Sequence, residues 1–102
     1  MYDFAVKPNY KGHDYLSVIF KECIADNNYH QKSITHEIYP SVARQFNTTV
    51  NGVIKCIKTA IKRSYEEVPE RYKDFFGREL KKEPTNSEFI SMVSEYLVNS
   101  TI

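Results

Sequence analysis

Apolar residues recur along this chain with the period of an α-helix, and strand-like alternation is absent over any useful length. Leu16, Ile19, Phe20, Cys23 and Ile24 stand at i, i+3, i+4, i+7 and i+8, one face of an amphipathic helix. The spacing predicts that this helix starts after Lys11-Gly12-His13, with Asp14 as cap, and ends near the polar pair Asn27-Asn28. Ser33 caps a short helix through Ile34, Ile38 and Tyr39. Pro40 should interrupt it, because proline disfavours helix in the residue before it and suits the first turn of the next helix. That next helix covers about Ser41 to Phe46, with Val42, Ala43 and Phe46 inward.

Asn47-Thr48-Thr49 makes a turn, and either threonine can accept a hydrogen bond from a backbone N–H at the start of the following helix. That helix runs from about Val50 to Tyr65, with Val50, Val53, Ile57, Ala60, Ile61 and Ser64 on its inner face. Pro69 suits another first turn, Tyr72, Phe75 and Phe76 form a small apolar face, and Gly77 is a natural stop. Residues Arg78 to Glu83 read as a charged loop. Thr85-x-x-Glu88 fits a capping box, followed by an inner stripe of Phe89, Met92, Val93, Tyr96 and Leu97. The expected fold is all-α, with five or six helices in one domain over residues 11–102 after an irregular segment 1–10, its first nine residues loosely held.

Composition narrows the function. Hydrophobic content of 41% and aromatic content of 14% argue against disorder. No apolar run approaches the roughly 18 residues a membrane span needs, and the N-terminus lacks a secretory pattern, so the expected location is cytoplasmic. Cys23 and Cys56 form no CxxC pair and read as core thiols. His13, His30 and His36 lack the close spacing of metal ligands, and three glycines leave no phosphate-binding loop. The expectation is no catalytic residue, no metal, no cofactor and no small-molecule substrate.

Charge changes the picture. From Ile38 to Tyr65 there is no Asp or Glu, while Arg44, Lys55, Lys58, Lys62 and Arg63 are all present, so a formal net charge of +1 conceals a strongly basic segment. On a helical wheel with Val50 at zero, the inner residues cluster near about 330°, whereas Asn51, Lys55, Lys58 and Lys62 fall between about 80° and 140° and Thr59 near about 180°. A short helix and a three-residue turn precede this basic helix at helix-turn-helix spacing, and Ala43 is small where two such helices approach. The pattern points to double-stranded DNA, read in the major groove. Asn51, Lys55, Lys58, Thr59 and Lys62 are the base-reading candidates: an amide can pair with an adenine edge, lysines favour guanine O6 and N7 or phosphates, and threonine reaches either. Lys11, His13, Arg44, Thr48, Thr49 and Asn86 are the phosphate candidates, Asn86 because the helix starting there exposes N–H groups.

The segments SITHEIYPSVARQFNTTVNGVIKCIKTAIKRSYEE, FFG and KKEPTNSEFISMVSEYL, with KGHDYL before them, resemble the C-terminal effector domain of the sporulation-initiation response regulator family (stage zero sporulation protein A). The resemblance covers about Lys11 to Val98. It implies a six-helix domain in which Ser41 to Phe46 is the positioning helix and Val50 to Tyr65 the recognition helix. It also implies sequence-specific binding to promoter DNA in a spore-forming bacterium or a relative, with tandem copies on adjacent half-sites. Against the family pattern, Gly52 stands for an arginine, Ile54 for a glutamate, Lys55 and Lys58 for arginines, and Thr59 for a histidine. Lysine keeps the charge but loses the planar fork for bidentate guanine recognition, so the resemblance carries over the fold and DNA binding but not the target sequence.

The family's regulators also have a phosphorylatable receiver, for which 102 residues leave no room, and the expectation is a stand-alone regulator without one. Two alternatives remain. One is an accessory DNA-binding protein of a phage or plasmid. The other is a protein-interaction module that has lost DNA binding, with Gly52 and Ile54 making an apolar contact surface.

Overall fold

The computed structural model describes residues 6–8, 10–26 and 33–100, the side chain of residue 100 excepted. Within them the fold is all-helical: α1 (Lys11–Ala25), a single π-helical turn (Ile34–Ile38), α2 (Tyr39–Gln45), α3 (Val50–Glu67), α4 (Pro69–Phe76) and α5 (Asn86–Ser100). The expected turn at Asn27-Asn28 lies outside the described residues, as does His30.

Helix α1 begins at Lys11, with Tyr10 as an extended N-cap that makes no side-chain cap bond. The expected cap, Asp14, therefore sits inside the first turn. The cause is a long-range contact. Gly12 lies so close to α3 that a Cβ there would stand 2.5 Å from the Cys56 carbonyl oxygen and 2.6 Å from the Ala60 Cβ. Helix backbones meet this closely only where side chains are missing, so the crossing recruits Gly12 into the helix despite its poor propensity. Val6 is buried in the core, and the Tyr10 hydroxyl donates to Glu67 at 3.1 Å while the Lys7 ammonium pairs with the same carboxylate. The part of the N-terminal segment that is described is thus held against the end of α3.

Pro40 does not break the chain. Ser33 caps the π turn by accepting from the His36 N–H, and the turn runs directly into α2 with Pro40 in its first turn, where a missing N–H costs nothing.

Helices α1 and α3 pack on each other, and α5 lies against both. Leu16, Ile19, Phe20, Val42, Val53, Ile57, Ile61, Tyr72, Phe89 and Val93 are fully buried between them. Tyr72 of α4 is the polar exception. Its hydroxyl donates toward Ser64 Oγ at 2.8 Å and the Ile61 carbonyl at 3.2 Å, and burial pushes its pKa up to about 12. Cys23 is buried with its thiol toward Ser94 Oγ at 3.4 Å, and burial raises its pKa. Gly77 ends α4 in the left-handed conformation at φ 71°.

The capping box forms as expected: the Glu88 N–H donates to Thr85 Oγ1 at 3.2 Å, and the Thr85 N–H donates to Glu88 Oε1 at 2.9 Å. The inner stripe of α5 is rotated from the expected one. Phe89, Ile90, Val93, Ser94 and Leu97 are buried, Met92 is half-buried and Tyr96 is 41% exposed. Tyr96 instead edges onto the Phe75 ring at 5.0 Å. A helix that packs on three neighbours buries a wider arc than a single stripe, and its centre is set by those neighbours.

Gly12→Ala is expected to destabilise the fold by about 1–3 kcal/mol despite alanine's better helix propensity, because the new methyl meets backbone rather than a flexible side chain; urea unfolding reads this. The Thr85 N–H holds the Glu88 carboxyl below its ordinary 4.5. A depressed folded-state pKa means that its stabilisation is complete above about 4.5 and disappears as pH falls through the folded value. The Tm difference between wild type and Glu88→Ala should therefore shrink on acidification through that range.

Candidate nucleic-acid interface

Helices α2 and α3 form the helix-turn-helix. The turn is built by the end of α2. Asn47 adopts the left-handed conformation at φ 53°, the one described non-glycine residue with positive φ. Around it the Thr48 N–H donates to the Ala43 carbonyl at 2.9 Å and the Asn47 N–H to the Arg44 carbonyl at 3.3 Å. This is a Schellman motif, which satisfies the last carbonyls of α2 and reverses the chain. Asparagine tolerates that conformation better than other residues with a Cβ. Phe46, expected inward, is instead the C-cap and 39% exposed, with its ring edge-on to Tyr15 at 4.9 Å.

Thr49 then caps α3, its Oγ1 accepting from the Gly52 N–H at 3.0 Å. The acceptor side of that hydroxyl is used by the helix, but its O–H proton remains available to a phosphate oxygen. Gly52 faces Thr48 and Thr49: a Cβ there would stand 3.1 Å from both hydroxyl oxygens. Gly52 therefore gives these two hydroxyls their room at the mouth of α3, and a larger residue would push them aside.

The inner face of α3 is buried at Val53, Ile57, Ala60, Ile61 and Ser64. Val50 and Ile54 are half-buried at its edge. The opposite face carries the base-reading candidates: Asn51, Lys55, Lys58, Thr59 and Lys62 are all exposed on one helix, with no acid before Glu66. Arg44, at the end of α2, and Thr48 and Thr49, in the turn, are exposed beside the start of that helix. Lys11 is exposed at the first residue of α1.

Two phosphate candidates are placed elsewhere. His13 is 4% exposed, because α1 starts earlier than the sequence suggested and turns this residue inward. It cannot reach a phosphate, and its Nδ1 lies 3.8 Å from the Asp14 carboxylate. Asn86 is half-buried, and its side-chain amide donates to the Ile54 carbonyl of α3 at 3.1 Å. Its side chain serves the protein interior rather than a phosphate. No local sequence signal announces this contact, because the two residues belong to different helices and meet only in the packed domain.

Removing the Thr49 cap acceptor with Thr49→Val should lower stability in the absence of DNA by about 1 kcal/mol, measured by urea unfolding.

No helix among the described residues is long and apolar enough to cross a membrane. A cationic face on the second helix of a helix-turn-helix is the arrangement that places side chains along a DNA groove. Residues 1–97 match the family described as the C terminal of sporulation initiation factor Spo0A, and the chain belongs to this family of helical DNA-binding effector domains.

Proposed function

We propose that this domain acts as a sequence-specific transcription regulator by laying α3 in the major groove of double-stranded DNA. One observation carries the reading: Asn51, Lys55, Lys58, Thr59 and Lys62 share the exposed face of a helix whose opposite face is locked into the core. A face held this way presents its side chains at little further conformational cost.

The roles follow from donor and acceptor chemistry. Asn51 offers both a donor and an acceptor, the pair an adenine edge requires in the major groove. Lys55, Lys58 and Lys62 are point charges for guanine O6 and N7 or for phosphates, and Thr59 reaches a base or a phosphate. Arg44, Thr48 and Thr49 flank the start of α3 and serve the backbone, fixing register without reading sequence. Lys11 is a further backbone contact. Copies of the domain side by side on adjacent half-sites extend the site read.

Selection of bound duplexes from a randomised pool, at low and moderate salt, tests the reading. An enriched motif that survives moderate salt supports it. Enrichment of no motif, with binding lost as salt rises, identifies an accessory DNA binder that follows charge alone. No binding at either salt moves the function to a protein-interaction surface. On the enriched duplex, log K should fall with log salt by about 0.9 for each phosphate neutralised, whereas an apolar protein interface would change little. Lys58→Ala and Asn51→Ala should each cost about 1–3 kcal/mol on that duplex and much less on a scrambled one; an equal loss on both marks the residue as a phosphate contact.

A further inference from the structure

We infer that Asn86 is a positioning residue for DNA reading: it clamps α3 to the start of α5 at the height of the base-reading side chains. The inference rests on the role of α3 proposed above. The Asn86 amide donates to the Ile54 carbonyl at 3.1 Å. Tyr39, the first residue of α2 and 4% exposed, lies near the same carboxamide, and burial raises its pKa. One side chain thus ties the start of α5 to α3.

The place of this contact gives it its consequence. Ile54 lies between Asn51 and Lys58 and next to Lys55, so the clamp grips the segment of α3 that carries most of the base-reading candidates. The inner face of that segment is apolar, and apolar burial resists separation but is non-directional. It only weakly opposes a small rotation or slide of the helix. The directional contacts of Tyr72 with Ile61 and Ser64, and of Tyr65 with Leu80, lie further along α3 and steady its C-terminal half. A helical carbonyl has a second lone pair beyond the one used by its own helix, so the Asn86 bond adds a fixed direction without breaking the helix ladder. Hydrogen bonds to base edges need alignment, whereas attraction between lysine and phosphate tolerates displacement. Loss of the clamp should therefore appear in discrimination between sequences rather than in general affinity for DNA.

The competing account makes Asn86 an ordinary residue of a helix first turn. Asn86→Asp separates the two. Aspartate is nearly isosteric and is favoured in the first turn of a helix, but it replaces the donor with an acceptor facing the Ile54 carbonyl. The experiment measures binding of the full chain to the pool-selected duplex and to a scrambled one, for wild type, Asn86→Ala, Asn86→Asp and Asn86→Ser. A urea melt of each confirms folding. The ratio of specific to scrambled affinity is expected to fall about tenfold in each Asn86 variant. The ratio corrects for the added charge of aspartate, which repels both duplexes alike. A ratio within twofold of wild type, or a loss caused by Asn86→Ala that is equal on the two duplexes, overturns the inference. Wild type that binds neither duplex, or both equally, overturns the DNA-reading role of α3 and the clamp's purpose with it. Should Asn86→Ala and Asn86→Asp fail to fold, an unchanged ratio in folded Asn86→Ser, whose side chain is too short to reach the Ile54 carbonyl, overturns the clamp.

Discussion

The close crossing of α1 and α3 is the constraint from which the rest of the structure follows. Gly12 meets the Cys56 carbonyl and Ala60 at a separation that admits no Cβ. That contact turns this side of α3 toward α1, and so decides which of its residues are sealed inside. Once Val53, Ile57, Ala60 and Ile61 are committed to the core, Asn51, Lys55, Lys58, Thr59 and Lys62 have nowhere to point but outward. The exposed cationic face is in this sense the complement of the packing surface, and a helix displaced at Gly12 would misdirect every side chain beyond it.

A helix face with several cations and no compensating acids repels itself, and salt screens that repulsion only in part. The domain offsets this cost away from the reading face. Thr49 caps the start of α3, Tyr72 gives its hydroxyl to the inner side of the helix, and Glu67 gathers Lys7 and Tyr10 at the C-terminal end. The Lys7 ammonium and the Tyr10 hydroxyl hold the Glu67 carboxyl below its ordinary range. The first acids after the basic window thus serve as anchors and solvated surface at the helix end, clear of the segment that carries the base-reading candidates.

Legibility varied by the kind of signal. The Thr85–Glu88 capping box, the stop at Gly77 and the Thr49 cap were readable because each depends on residues within one turn of one another. The buried face of α3 was readable because a long periodic pattern averages over local exceptions. The start of α1 was misread, since Gly12 and His13 look like breakers until α3 is laid across them. Pro40 was readable as the start of a new helix, since it stands in the first turn of α2, but the π form of the turn before it was not. His13 was given to phosphate as a polar residue near a helix start, and the tertiary fold buries it; the Asn86 side chain also turns inward, toward the Ile54 carbonyl.

By itself the sequence determined that the chain is helical, that a basic helix without acids as far as Tyr65 follows a short helix and a turn, and which side chains that helix turns away from the core. Those properties arise from periodicity and from formal charge, which do not depend on distant partners. Only the tertiary structure decided which face of α5 is buried, that the Asn86 amide rather than a side chain near in sequence holds the Ile54 carbonyl, and that Gly12 is a helix crossing rather than a loop. Each of these joins residues far apart along the chain. Their interaction is set by three-dimensional proximity, to which no local propensity or spacing is sensitive.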